Sequence, residues 1–194
     1  MQDRFRATQC LRTFKLHLEQ QASTICWTGG ASSDWNTASN WDLGRVPTAT
    51  DDVLVDLSPS GAMTLGSFIT SLTFHVRNLT VIGDLRFFGG QLRVDGDLDV
   101  SGRLTLLGGT LTNANLIGDP LETPVYVDGT VNMDNVRIST RVIAVESAEI
   151  NVNNGLIVDG ILVWGENQAF ADATLAFNGN QTLGGSGKIV GGNG

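Results

Sequence analysis

Asp95, Asp97 and Asp99 alternate along one short β-type segment, so their carboxylates fall on one face and form a row of oxygen donors of the kind that holds Ca²⁺. Arg93 and Arg103 stand close enough to neutralise that row from neighbouring layers. With neither an EF-hand loop nor a nonapeptide calcium repeat in the chain, a solvated acidic face competes with a cation site. Trp27, Trp35 and Trp41 fall within fifteen residues. Their faces suit stacking on pyranose rings, and their bulk suits closing the end of a core. Asp128, Asp134, Arg137 and Arg141 bring acids and bases of the types used by polysaccharide lyases and hydrolases into one short span. The only histidines are His17 and His75, and His75, between Phe74 and Val76, reads as a strand residue. The sequence has no nucleophile elbow, phosphate loop, zinc cluster or dinucleotide fingerprint. These residues make no catalytic constellation, and the sequence reads as a non-enzyme with no cofactor and Ca²⁺ as its one candidate ion.

Cys10 and Cys26 can form one disulfide in an oxidising compartment or stand as two isolated thiols. Twenty acidic residues against twelve basic ones give a formal charge of −8. Arg4, Arg6, Arg12 and Lys15 hold a third of the positive charge, so the rest of the chain is more acidic still and does not suit nucleic acid. No apolar run reaches the ~20 residues of a membrane helix. Lys15 and His17 interrupt Phe14, Leu16 and Leu18, so a standard export signal is not visible.

A repeated unit, apolar-x-Gly-x-apolar, sets the architecture that must position these side chains. It occurs around Gly83, Gly96 and Gly108, and again at Gly129 and Gly160. From Met63 onward short β-type segments are separated by Gly, Asn or Asp breaks, including Met63 to Phe74, Leu79 to Phe88, Leu92 to Val100 and Leu104 to Thr112. The uneven glycine spacing matches a solenoid coil of about 20 to 30 residues with more than one strand per coil. Sharp Gly corners without hairpin signals favour this over a sandwich. The reading is all-β, a right-handed parallel β-helix of about six coils, its hand set by the usual crossover preference. Leu92, Val94, Gly96, Leu98, Val100, Leu104 and Leu106 are expected to face the core, with Arg93, Asp95, Asp97, Asp99, Arg103 and Thr105 outside. Asn132, Asn135, Asn151, Asn153 and Asn154 are expected near corners, where Asn tolerates left-handed backbone and stacks in ladders. The outward Thr80, Thr105 and Thr112 form no regular Thr-x-Thr ladder of the ice-binding kind.

Three regions follow. Residues 1–23 are basic and carry Leu11, Phe14 and Leu18 at helical spacing, which suits either a short amphipathic helix covering one end of the core or a leader that is removed. Residues 24–52 form a Trp/Gly-rich cap, and residues 53–194 form the coils, beginning with the alternating Val53, Val55 and Leu57.

Trp27-x-Gly-Gly30, Trp35, Asn40-Trp41, Gly44, Pro47 and Asp51-Asp52-Val53 resemble the W-x-G-G, W, N-W, G, P, D-D-V pattern that opens many large bacterial secreted or surface-displayed β-helix proteins, adhesin-like and autotransporter-passenger-like chains among them. Phe14 to Gln20 is similar to the basic leaders of some of these, without their acidic-basic dipeptide or apolar export stretch. The resemblance implies an extracellular or cell-surface location and a structural or adhesive role. Leu183, Ile189 and Val190 continue the rung pattern into the C-terminal stretch, with no polar terminal repeat after them. Either a longer chain or another copy is expected to cover that end, and head-to-tail stacking into a fibre is the expected assembly. A carbohydrate-active or carbohydrate-binding β-helix touching cell-surface polysaccharide is the competing expectation.

Overall fold

A computed structural model describes residues 24–58, 61–67, 72–122, 124–145, 147–164 and 173–191. The chain runs through seventeen strands: β1 (Thr24–Cys26), β2 (Asp52–Asp56), β3 (Ala62–Leu65), β4 (Thr73–Val76), β5 (Asn78–Ile82), β6 (Asp84–Phe87), β7 (Gln91–Val94), β8 (Asp97–Val100), β9 (Leu104–Thr112), β10 (Asn115–Ile117), β11 (Val125–Ile138), β12 (Arg141–Ala144), β13 (Glu149–Val158), β14 (Ile161–Trp164), β15 (Thr174–Phe177), β16 (Leu183–Gly184) and β17 (Lys188–Gly191). A single 3₁₀ turn, Ala38–Asn40, is the only helical element among the described residues. The amphipathic helix expected within 1–23 lies outside them.

Every strand pairing is parallel, and the pairings sort into three ladders. The first face stacks β1, β2, β5, β8, β10 and then the C-terminal parts of β11 and β13, ending at β16. The second stacks β3, β6, the start of β9, the start of β11, β12, β14 and β17. The third stacks β4, β7, the end of β9, the middle of β11, the start of β13 and β15. About five turns run from Asp52 to Asn153, and the chain then continues onto β14 to β17. This is a parallel β-solenoid. Along the first face Val53 pairs with Leu79, then Leu98, Leu116, Ile138 and Val158, which sets turns of 26, 19, 18, 22 and 20 residues. All these side chains point inward and are buried. Each fully buried Leu, Ile or Val contributes about 1.5–3 kcal/mol through the apolar surface it removes from water.

Inward parity holds as expected at Leu92, Val94, Leu98, Val100, Leu104 and Leu106, all buried. Gly96 does not join them, because residues 92–100 are two strands rather than one. The chain turns a corner at Asp95-Gly96, and a Cβ on Gly96 would sit 2.2 Å from Asn78 Oδ1. The same correction applies to 63–74 and 79–88, each split between two faces. The recurring glycines mark different corners of the turn, which is why their spacing is uneven. Gly83 and Gly160 lie between first and second faces, Gly108 and Gly129 between second and third, and Gly96 between third and first.

Candidate functional site

The sequence-predicted residues separate into a closed N-terminal end, a polar corner along the side and an exposed last turn. Asn40, fully buried, organises the N-terminal loop. Its Oδ1 accepts from the backbone N–H groups of Ala31 and Ser32, each at 2.9 Å, and its Nδ2 donates to Ser32 Oγ and Asp34 O. Asp51, also fully buried, accepts from Arg45 through both carboxylate oxygens (2.6 and 2.8 Å) and from Thr48 N and Oγ1. These bonds satisfy a carboxylate that burial alone would disfavour. They also fix the turn that launches β2.

On this frame Trp27, Trp35 and Trp41 are 7%, 4% and 2% exposed. They pack edge to face, with centroids 5.0 Å apart for Trp27 and Trp41 and 4.6 Å for Trp35 and Trp41, and Trp35 reaches Phe74 of the first turn at 5.7 Å. Trp41 Nε1 donates to Trp35 O at 2.8 Å. The motif residues thus pack over the core at its first turn, ring edge against ring face. Cys26 is disulfide-bonded, and Cys10, the other cysteine, lies outside the described residues.

Asp95 stands at the corner between β7 and β8, apart from the strand that carries Asp97 and Asp99. Its Oδ2 lies 2.7 Å from His75 Nε2, and its Oδ1 accepts from Arg93 Nε at 2.7 Å and Asn113 Nδ2 at 3.1 Å. Burial pushes the Asp95 carboxyl up, but the hydrogen bonds from His75, Arg93 and Asn113, with the charge of His75, outweigh it and lower it to about 2. Asp97 takes Asn115 Nδ2 at 2.8 Å. Burial, then the charge of Asp97, raises the Asp99 carboxyl. Arg103 lies over the Tyr126 ring, 4.8 Å from its centroid. Among the described residues no group of three His, Cys, Asp or Glu side chains is placed to hold a metal ion.

The corner between third and first faces continues along the axis. Asn135 Nδ2 donates to Asn113 Oδ1 at 3.0 Å, and Asn154 Nδ2 to Asp134 Oδ1 at 2.6 Å. Asn113, Asn135 and Asn154 all have left-handed backbone, with φ of 63°, 54° and 55°. A second ladder on the first face links Asp52, Asn78, Asp97, Asn115 and Ser139. Asn113 was not singled out in the sequence, because Ala114 after it hides the corner that a glycine would have advertised. Asn132 and Asn151 lie in register with each other within the third face rather than at a corner.

The acids and bases between 128 and 141 do not converge. Asp128 lies at the second corner, Asp134 at the third, Arg137 on the first face bonded to Asp159, and Arg141 on the second face. Asp159 also accepts from the Ser186 N–H at 3.0 Å, and this bond, with the Arg137 charge, lowers its carboxyl despite some desolvation.

Leu183, Ile189 and Val190 belong to the last described strands and are 49%, 44% and 43% exposed. Ile189 pairs with the buried Leu162, and Leu183 with the buried Leu156, so both continue inward columns. Phe177, on β15, is also exposed. No described helix is long and apolar enough to cross a membrane.

The class defined here is a parallel β-solenoid with a tryptophan-closed N-terminal end. Comparison of the chain with protein-family models, with curated proteins and with solved structures gives no match.

Proposed function

We propose that this chain is an extracellular structural or adhesive β-solenoid module, a rod segment of a secreted or surface-displayed protein, wound right-handed as crossover connections generally are. The carrying observation is where the polar side chains spend their hydrogen bonds. From His75 to Asn154 they bond to the next turn along the axis, where a binding or catalytic face would turn them towards one point. Added to an unbroken apolar column, this makes a stiff rod whose outward residues set what it touches. The disulfide-bonded Cys26 fits an oxidising compartment, and the W-x-G-G to D-D-V opening fits the adhesin-like and passenger-like chains it resembles. The associative half of the reading draws on Leu183, Ile189 and Val190, apolar side chains left exposed on β16 and β17.

Negative-stain electron microscopy and sedimentation on the purified chain, with a panel of acidic and neutral polysaccharides incubated with and without Ca²⁺, test this. Rod-shaped particles that leave every polysaccharide intact are expected. Turnover that Asp134→Asn or Arg137→Ala abolishes would replace the proposal with an enzyme.

A further inference from the structure

The first face carries a buried pair of side chains on its outer side. Cys26 and Leu54 are in register, one position out of phase with the inward Ile25 and Val53, so both point away from the core. Yet Cys26 is 7% and Leu54 4% exposed, and neither belongs to the core cluster that holds Ile25, Val53 and Val55. The same outward column runs on through Thr80, Asp99 and Ile117, all partly buried. Burial is the first cause that raises the Asp99 carboxyl, although its strand turns it away from the core. Apolar and desolvated positions in one outward column mark a surface that is covered rather than bathed in water.

The disulfide points to the cover. Cys26 is disulfide-bonded and Cys10 is the one other cysteine of the chain, so its partner is Cys10. Leu11, Phe14 and Leu18 follow directly, the apolar stripe of a segment that carries Arg4, Arg6, Arg12 and Lys15 against only Asp3 and Glu19. The outer face is its complement. Leu54 and Ile117 offer apolar surface, and among the described residues neither Asp97 nor Asp99 has an ion-pair partner. Reach agrees as well. From Cys26 along the column to Asp99 is three layers, about 14 Å at the spacing of paired strands. At helical rise the stretch from Leu11 to Leu18 spans about 12 Å, and the chain from Leu18 back to Thr24 can cover up to about 20 Å.

We infer that residues 10–18 lie along the outside of the first face, fastened by a Cys10–Cys26 disulfide, with Leu11, Phe14 and Leu18 over the Leu54 column and Lys15 turned towards Asp97 and Asp99. The N-terminal segment is then a retained part of the folded protein, a side strap that the disulfide locks and a thiol releases. This goes beyond the rod reading and holds whatever the rod touches.

The oxidised full chain, treated with a zero-length carbodiimide cross-linker and mapped by mass spectrometry without reduction, tests this beside timed trypsin digestion. Expected are a Cys10–Cys26 link within one chain and an amide link from Lys15 to Asp97 or Asp99. Cleavage after Arg12 and Lys15 should speed up about tenfold or more on reduction or in Cys10→Ser. Phe14→Asp and Leu18→Asp should speed the same cleavage with the disulfide intact and leave the β-sheet circular dichroism unchanged. Equal cleavage rates in the oxidised chain, the reduced chain and Phe14→Asp would overturn the docking, as would the lack of any Lys15 link to the first face. Cleavage that Phe14→Asp speeds and reduction does not would overturn the disulfide lock. A Cys10–Cys26 link between isotopically light and heavy copies would overturn the strap within one chain. Rod-shaped particles in any of these cases leave the structural reading standing.

Discussion

Asn135 donates its Nδ2–H to Asn113 Oδ1 at 3.0 Å, and both residues hold left-handed backbone at the same corner of successive turns. The two facts are separable by substitution. Left-handed backbone costs an L-residue with a Cβ about 1–2 kcal/mol, and Asn tolerates it better because its short side chain bonds locally. Asn135→Ala should therefore lose both the conformational tolerance and an exposed hydrogen bond, about 2 kcal/mol in all. Asn135→Gly should lose only the bond, about 0.5–1 kcal/mol. Urea denaturation of the pair decides the matter, and equal losses would mean that the backbone angle is not what selects Asn there.

Acid should expose the Asp95 cluster. With its carboxyl at about 2, below the ordinary value near 4, ionised Asp95 contributes stability that is complete above about pH 4 and is lost as pH falls towards about 2. Asp95→Asn should flatten that limb of the stability profile. Asp99 behaves in the opposite sense, since burial and Asp97 raise its carboxyl. Its charge opposes folding above the ordinary range, so Asp99→Asn should raise the melting temperature at about pH 7 and leave it nearly unchanged at about pH 3. Thermal melts of the two variants across that range check both signs.

The period-two parity of the coils was legible in the sequence because each inward position is filled by Leu, Val or Ile, as at Leu92, Val94, Leu98 and Val100. Leu183 and Ile189, which continue the inward columns of Leu156 and Leu162, were legible as rung residues for the same reason. The corners were harder. Asp95-Gly96 continues the alternation of its neighbours, so a bend between two faces looks like the middle of one strand. Neither its paired carboxylate nor its distance from the Asp97 and Asp99 face follows from spacing. The roles of Asn40 and Asp51 were hidden for another reason. A buried polar side chain that bonds back into its own loop, eight or nine residues for Asn40 and three or six for Asp51, leaves no periodic trace.

Glycine substitutions should separate corners by available space. A Cβ on Gly160 would lie 1.9 Å from the carbonyl oxygen of Thr140 in the turn below, a backbone atom that cannot swing away. Gly160→Ala should cost about 3 kcal/mol or more, the upper range of overpacking. At Gly184, on β16, a Cβ meets nothing within 4 Å. There Ala should be neutral or stabilising by up to about 1 kcal/mol, through its smaller unfolded-state entropy. Chemical denaturation of both variants tests whether close stacking of turns, rather than backbone angle, fixes the corner glycines.

The tryptophan cluster permits the sharpest test of what the opening motif is for. Trp41 is 2% exposed, packs edge to face on both Trp27 and Trp35, and donates Nε1–H to Trp35 O. Trp41→Ala should cost about 3–5 kcal/mol, as loss of a large buried aromatic generally does. Trp41→Phe should cost less, keeping most of the ring contact while leaving the Trp35 carbonyl short of a donor. If the cluster closes the core, both losses appear as lower stability, and tryptophan emission is unchanged by any polysaccharide. A sugar platform would give the reverse, with saturable quenching by a carbohydrate and a stability barely altered by Trp41→Ala. Core closure is the expected outcome, because Trp41 is almost wholly buried and packs on two other rings.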